Sequence, residues 1–398
     1  MNQRLNVLTV TGFELEDQAS GVNTMIRTLT ESLSSTCRSV QLQNDWSARR
    51  LTRRNGNGID HYALRLRSPF VAGKKIRGFL GWCVSFPVMM MDLRRLVVSE
   101  AIDIIHLHYG APYQYCFRLM RILWGTPYIL TLHRGDIMSY PAFEDFDKAL
   151  MRYAINGASR VVPVSQWLAD QTISTLGETP PHLQVIHNGL DIGELDALDD
   201  PDLEAHLGFK LPKRFFLMVS NVAQYKAQDV AIRAWARVRK QWPDVLLLIA
   251  GDKRELWDEC VRLIAELDCA DTVKLLGAQP RATAVGLMRK AAAIVLPSRS
   301  EGLPYALLEA GALGKPILCS DIGPFTEVVT DGTTGFVTRV EDDEGLANAS
   351  MRLLSDPDVG SRLGNNLARK IRLEFSSEHM AEEYLEIYAE LLGRLAPA

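Results

Sequence analysis

Short apolar runs alternate with amphipathic stretches along nearly the whole chain, and this alternation constrains the fold more than any other feature. A run of four to seven aliphatic residues reads as a buried strand, and a 3.6-residue apolar period between two such runs reads as a covering helix. Strands that alternate with helices in this way argue for parallel sheets wound with helices. The expected strands of the first half are Leu5–Val10, Val40–Gln43, Tyr62–Leu66, Ile104–Leu107, Tyr128–Leu132, Arg160–Pro163 and Gln184–Ile186. The second half repeats the pattern with Phe215–Val219, Val245–Ala250, Val273–Leu275, Ala293–Leu296, Ile317–Cys319 and Gly335–Val337. Between them Leu190 to Lys213, rich in Asp and Pro, suits a linker. A chain of 398 residues, 47% hydrophobic, suits two domains of about 180 residues each. The expected division is 1–190, a linker 191–213, a second domain 214–375, and a closing segment 376–398. That segment carries an amphipathic helix over Glu378–Leu395, with Met380, Tyr384, Ile387, Tyr388 and Leu391 on one face.

Composition removes several function classes. No apolar run reaches the roughly 18–20 residues of a membrane span, and Leu5–Val10 follows the start without a secretory segment. Six cysteines are scattered with no pair two apart, which indicates neither a disulfide framework nor a zinc knuckle, and predicts a reduced cytoplasmic protein. The net charge of −4 hides an asymmetry. Between Arg38 and Arg95 stand twelve Lys and Arg against Asp45, Asp60 and Asp92, a net +9, which leaves −13 for the remainder. Phe70, Val71, Ile76, Phe79, Leu80, Trp82 and Phe86 are interleaved with these cations. Basic residues beside aromatics suit an anionic membrane surface, and the same stretch also reads as a solvated basic face over core aromatics; nucleic acid is not expected.

Open parallel sheets bind ligands at the carboxyl ends of their strands, and the residues with chemistry gather there. After Ala293–Leu296 the chain reads Pro-Ser-Arg-Ser-Glu-Gly-Leu-Pro-Tyr from Pro297, and a helix follows. Pro304 is expected at the first helical position, where its missing N–H costs nothing. The amides of Gly302, Leu303 and Tyr305, around Pro304, make an anion site. Glu301 precedes the helix and Glu309 lies inside it, so one carboxylate addresses each end of a ligand, the layout of a nucleotide-sugar site. Phe215–Val219 ends in Ser220-Asn221, with Lys226 five residues on, and Gly277 closes the strand at Val273. In the first half, Gly21 follows the Thr11–Ser20 loop and opens a helix, where glycine lets backbone approach a phosphate or sugar. His133 follows Tyr128–Leu132. His106 and His108 share a side of their strand and with His133 form a set to weigh as a zinc site, although no carboxylate or Cys sits at matching spacing. Asp145-Phe146-Asp147 falls inside an expected helix, Phe143–Asn156, and reads as helix surface.

Taken together these strings resemble the retaining glycosyltransferases of family 4, which have two Rossmann-like domains facing across a cleft (the GT-B fold). The resemblance rests on Glu301-Gly302-Leu303-Pro304 through Glu309, on Lys226, on Thr131-Leu132-His133, and on Asn188-Gly189-Leu190-Asp191. It implies transfer of a sugar from a nucleoside diphosphate, with no cofactor and no metal. In that picture Lys226 and the amides at Gly302–Tyr305 hold the diphosphate, Glu301 meets sugar hydroxyls and Glu309 the ribose. His133 faces the transferred sugar, the nucleotide base lies near Gly277, and the C-terminal helix crosses back to the first domain. The chain departs from the family pattern at Ser20 and Ser220, where glycine is usual, at Asn221, where the family carries a diphosphate-clamping Arg, at Ala227, usually Gly, and at His187, usually Pro. Asn is neither charged nor bidentate in the way Arg is; Arg299 and Arg281 are the candidates to replace it. The expected partners are a nucleotide-sugar donor and a glycan or polyprenyl-linked acceptor, with cell-surface polysaccharide assembly as the setting. The alternatives are a GT-B epimerase or phosphorylase, and a non-catalytic homologue that binds a sugar nucleotide or a partner enzyme.

Overall fold

The structure, a computed structural model, describes residues 4–12, 21–54, 59–69 and 75–393, with 75–77 described in their backbone alone. Ser20, Phe70, Val71 and Leu395, all named above, and Lys74, one of the twelve basic residues counted above, lie outside the described residues. The chain divides into two compact units, Met1–Gly189 with Met380–Ala398, and Leu190–His379.

The first unit is built on β1 (Leu5–Thr11), β2 (Cys37–Asn44), β3 (Thr52–Arg54), β4 (Asp60–Leu64), β5 (Ile104–His108), β6 (Tyr128–Leu132) and β7 (Arg160–Pro163). They form one sheet in the order β3-β4-β2-β1-β5-β6-β7, parallel throughout except for the β3–β4 edge. The second unit is built on β8 (Phe215–Val219), β9 (Leu246–Ala250), β10 (Val273–Gly277), β11 (Ala293–Leu296), β12 (Ile317–Ser320) and β13 (Phe336–Thr338). Its order is β10-β9-β8-β11-β12-β13, all parallel. In both sheets the chain starts in the middle, winds outward to one edge, and then returns to build the other side. This is the doubly wound α/β order, and it leaves a crevice where the winding reverses, beyond the ends of β1 and β5 and of β8 and β11.

The central strands are buried along their whole length, for example Ile104–His108 and Tyr128–Leu132, because helices cover both sheet faces. Leu8, Leu42, Leu107 and Leu130 anchor one core, and Phe216, Trp235, Leu247 and Val295 the other.

Three expectations change. Gln184–Ile186 is not a strand: Gln184 and Ile186 donate to Val161 and Pro163 at 3.0 and 3.2 Å, and pairing stops at the single bridge Leu183–Val161. β3 was not expected, because an exposed Thr-Arg-Arg edge strand carries no apolar signal. Residues 191–213 are no loose linker: they carry helices Ile192–Ala197 and Leu203–Leu207 and belong to the second unit. Arg289 fixes them by donating to the carbonyls of Leu198 and Leu195 at 2.7 and 2.8 Å.

The helix Ser377–Leu391 begins in the second unit and continues into the first, as the GT-B resemblance implies. Its apolar face is buried at Met380, Tyr384, Ile387 and Tyr388. Tyr388 Oη lies 2.7 Å from His106 Nδ1, and Tyr384 Oη 2.9 Å from Thr131 Oγ1.

Candidate active site

The turn after β8 is shaped by two neighbours. Gly251, at the end of β9, passes so close that a Cβ there would lie 1.9 Å from the Ser220 carbonyl oxygen, so only glycine fits. Gln228 then donates from Nε2 to Ser220 Oγ at 3.0 Å and to the Asn221 carbonyl at 2.9 Å, tying the turn to helix Gln228–Val238. Ala227 caps that helix in the left-handed region, φ 57°, which explains why glycine is usual there.

Lys226 ends a short 3-10 turn, Gln224–Lys226, and the backbone amide of Arg299 pins this turn by donating to Tyr225 O at 2.8 Å. The loop after β11 is thereby set against Lys226, and Lys226 Nζ reaches Glu301 Oε1 at 2.6 Å. Ser298 Oγ donates to the same carboxylate oxygen at 2.9 Å. The two side chains are nearly buried, at 15% and 7% exposure. Pro304 stands one position earlier than expected. It is the N-cap of helix Tyr305–Ala312, with ψ 136°, and its carbonyl accepts the first-turn bond from Leu307 N at 3.1 Å. Leu303 is buried beneath this start and Gly302 is half-buried.

Glu309 lies in the body of that helix, almost wholly buried, with its Oε1 2.6 Å from Arg281 Nη1. Burial pushes its carboxyl up, and the Arg281 guanidinium opposes the rise. Arg281 also stands 3.6 Å from Glu194. Gly277 takes a positive φ of 71° at the end of β10, and its carbonyl accepts from Gly251 N at 2.8 Å. Arg299 donates to Asp229 at 3.0 and 2.9 Å, to the Gln224 carbonyl at 2.5 Å, and to Glu341. Burial works against its charge, yet Glu341 and Asp229 outweigh that and hold its pKa above the ordinary arginine value. Both arginines considered as replacements for the clamp are therefore already ion-paired to carboxylates.

In the first unit, Gly21 is the first residue of helix Gly21–Ser32. His133 closes β6 and caps helix Arg134–Ser139; its amide donates to Asp136 Oδ2 at 2.7 Å. The His133 ring is buried, Nε2 has no partner, and burial pushes its pKa down to about 3. Asp136 is pushed up to about 7 by the same burial, against donation from the amides of His133 and Gly110. His106, His108 and His133 form a column with ring centroids 4.3 and 5.9 Å apart. His106 lies between two hydroxyls, Tyr388 Oη at Nδ1 and Thr131 Oγ1 at Nε2, each at 2.7 Å. With both ring nitrogens engaged, the zinc alternative has lost a ligand. Asp145 and Asp147 lie at the start of helix Asp145–Gly157, with Asp145 fully exposed.

The comparisons with known proteins agree with this architecture. A family model described as Glycosyltransferase Family 4 matches residues 19–194, and one described as Glycosyl transferases group 1 matches 199–370. The chain belongs to the family 4 glycosyltransferases. This glycosyltransferase is 27% identical over 295 residues to N-acetyl-alpha-D-glucosaminyl L-malate synthase of Bacillus anthracis, covering 74% of this chain and 76% of that protein. It is also 27% identical over 303 residues to D-inositol 3-phosphate glycosyltransferase of Actinosynnema mirum, covering 72% of each. HepE of Anabaena, solved with UDP and glucose, superposes with a TM-score of 0.75 at 19% identity, over 97% of this chain and 100% of that one. Sucrose-phosphate synthase of Thermosynechococcus elongatus does so at 0.75 and 19%, over 98% and 100%. The glycosyltransferase has the GT-B fold.

The residues that sequence reasoning missed are Gln228, Ser298 and Asp229, which hold the named ones in place, and the partners that Tyr384 and Tyr388 find in His106 and Thr131. Gln228 and Ser298 act within eight residues of their partners but belong to no motif, and the contacts of Asp229 with Arg299 and of the two tyrosines span 70 residues or more.

Proposed function

We propose that this glycosyltransferase moves a sugar from a nucleoside diphosphate to a glycan or lipid-linked acceptor, with retention at the anomeric carbon and without a divalent metal. Its setting is the assembly of cell-surface polysaccharide or lipopolysaccharide, in the cytoplasm at the inner face of the membrane. The observation that carries the reading is the Lys226–Glu301 contact at 2.6 Å. A cation and a carboxylate, each chemically suited to one part of a sugar nucleotide, neutralise each other. A diphosphate displaces Glu301 from Lys226, and the released carboxylate accepts hydrogen bonds from sugar hydroxyls. The nucleotide-sugar donor is supported by HepE, solved with UDP-glucose.

As the bond from the anomeric carbon to the diphosphate oxygen breaks, the acceptor oxygen bonds to that carbon on the same face, and its proton passes to the leaving diphosphate. Charge grows on the β-phosphate, where Lys226 and the amides of Gly302, Leu303 and Tyr305 stabilise it by roughly 2.7–4 kcal/mol per donor. Glu309, held by Arg281, takes the ribose hydroxyls, and the base lies near Gly277. His133, kept neutral by burial, offers its unpartnered Nε2 to a sugar hydroxyl without adding positive charge beside an electron-poor carbon. Gly21 brings helix backbone to the ligand, and Asn221 holds the diphosphate turn through its carbonyl.

One observation favours a second reading. With Asn221 in the clamp position and both Arg299 and Arg281 ion-paired, a cation is missing, as suits a homologue that binds a sugar nucleotide without transferring it. Thermal unfolding with UDP, GDP, ADP and dTDP, each with EDTA and with Mg²⁺, tests the donor site, and turnover with the matching sugar nucleotides separates the two. A ligand at a hundred times its Kd adds about 2.7 kcal/mol. The expected result is a base-selective rise that survives EDTA, followed by turnover with the matching sugar nucleotides. A rise that requires Mg²⁺ removes the metal-independent mechanism, and no rise with any nucleotide removes the donor site.

A further inference from the structure

We propose that the outward face of helix Lys75–Ser99 seats on an anionic lipid leaflet. This deepens the membrane location proposed above, but it stands on the helix itself and fails or holds separately from the transferase reading. The inner face of the helix is already occupied. Trp82 and Phe86 pack against the core of the first unit, Met89, Met90, Leu93 and Leu96 are part of it, and Trp82 Nε1 donates to Tyr115 Oη at 2.7 Å. The outer face is apolar as well. Leu80, Val84, Val88, Met91 and Val98 are 60%, 78%, 37%, 53% and 69% exposed. Leu80, Val84, Val88 and Met91, at spacings of 4, 4 and 3 residues, lie on one stripe about 17 Å long at 1.5 Å per residue, and Val98 lies beyond the arginines that close it.

A solvated helix face carries charge along its length. Here the thirteen residues Phe79–Met91 contain a single polar side chain, Ser85, and the charges stand at the two ends. Lys75 and Arg77 open the helix, and Arg94 and Arg95 are exposed toward its close. Arg94 lies 5.1 Å over the ring of Trp124, beside which Ile122 and Leu123 add 64% and 62% exposed side chains. An apolar stripe between basic ends matches acyl chains between phosphate headgroups. Charge also selects against a second copy of this chain, since pairing two such faces would set the basic ends of one helix against those of the other. Among the described residues no helix is long and apolar enough to cross a membrane, so the contact is one that lies in the interface plane.

Flotation of the full chain with vesicles of phosphatidylcholine alone, or with about 30% phosphatidylglycerol, tests the surface. The parent is expected to float with the anionic vesicles and to be released by salt. The double variant Val84→Glu/Met91→Glu is expected to lose partitioning at least about 10-fold while keeping the unfolding midpoint and nucleotide response of the parent. Parent protein that ignores both vesicles, or a variant that binds like the parent, overturns the proposal. A concentration-dependent dimer without lipid, abolished by Val84→Glu/Met91→Glu, assigns the face to a second copy and overturns it too.

Discussion

Lys226 Nζ lies 2.6 Å from Glu301 Oε1, and Ser298 Oγ shares the same oxygen at 2.9 Å. A ligand that brings its own phosphates must break this contact, so each partner influences the other's availability. Lys226→Ala is expected to lower turnover on the order of 10²-fold or more. It also leaves Glu301 buried with Ser298 alone, at a cost of about 1–3 kcal/mol. Lys226→Ala/Glu301→Gln should regain most of that stability and none of the turnover. Thermal unfolding with steady-state kinetics reads both; turnover equal to the parent in Lys226→Ala would remove the lysine from the mechanism.

The clamp position gives a gain-of-function test. Asn221→Arg restores a charged, bidentate donor and is expected to tighten nucleotide binding about 10-fold by calorimetry. Arg299→Ala should leave affinity near the parent value, because that guanidinium is held by Asp229 and Glu341. Its effect should instead fall on stability, about 1–3 kcal/mol, since Asp229 keeps Arg233 at 2.7 Å. A large loss of affinity in Arg299→Ala would make Arg299 the substitute clamp.

Glu309 carries a pH prediction. Burial raises its carboxyl and Arg281 opposes the rise. Arg281→Met removes the opposing charge, so the carboxyl protonates at higher pH than in the parent and ceases to accept from ribose hydroxyls. Nucleotide affinity of Arg281→Met should therefore weaken as pH falls, beginning at a pH where the parent is still unaffected. Glu309→Ala should weaken binding at every pH, and unchanged affinity there would reject the ribose role.

The histidine column sets the acid side of stability. His106 and His133 are pushed from about 6.5 to about 3, and His108 well below its ordinary value, so each stabilises the fold above pH 6.5 and loses that contribution as pH falls toward 3. Asp136, raised to about 7, acts oppositely: its contribution is full below its ordinary value of 3.8 and is lost as pH rises to 7. Three histidines oppose one carboxyl, so the unfolding free energy should fall on acidification from pH 6.5 to 5. The slope is about 1.4 kcal/mol per pH unit for each uncompensated proton. Asp136→Asn removes the opposing group and should steepen the fall; a flat denaturation profile over this range would contradict the burial of the column.

Strand periodicity and the turn residues made the fold legible because doubly wound sheets need both at regular intervals. Phe215–Val219, Tyr128–Leu132, Arg160–Pro163 and Ala293–Leu296 appear with the bounds expected from their apolar runs. Thr52–Arg54 escaped because a polar edge strand is selected by pairing with β4 and not by burial. The helices at 192–207 escaped because Asp and Pro, which mark a linker, also cap short helices: Asp191 accepts from Glu194 N and Asp202 from Ala205 N. In the site, Glu301, Glu309 and Lys226 stood out by their places near strand ends. That they pair with each other and with Arg281 did not, since Lys226 meets Glu301 across 75 residues and Arg281 meets Glu309 across 28.

The helix Ser377–Leu391 has a consequence for the order of folding during synthesis. Tyr384 and Tyr388 cover His106 and Thr131, which are buried in the centre of the first sheet. The residues that finish the first unit are thus made after the whole of Leu190–His379, 190 residues later. At 5–20 residues per second, that interval is roughly 10–40 s. Until then the first unit waits with two polar core groups uncovered, so the half made first is the last to be closed.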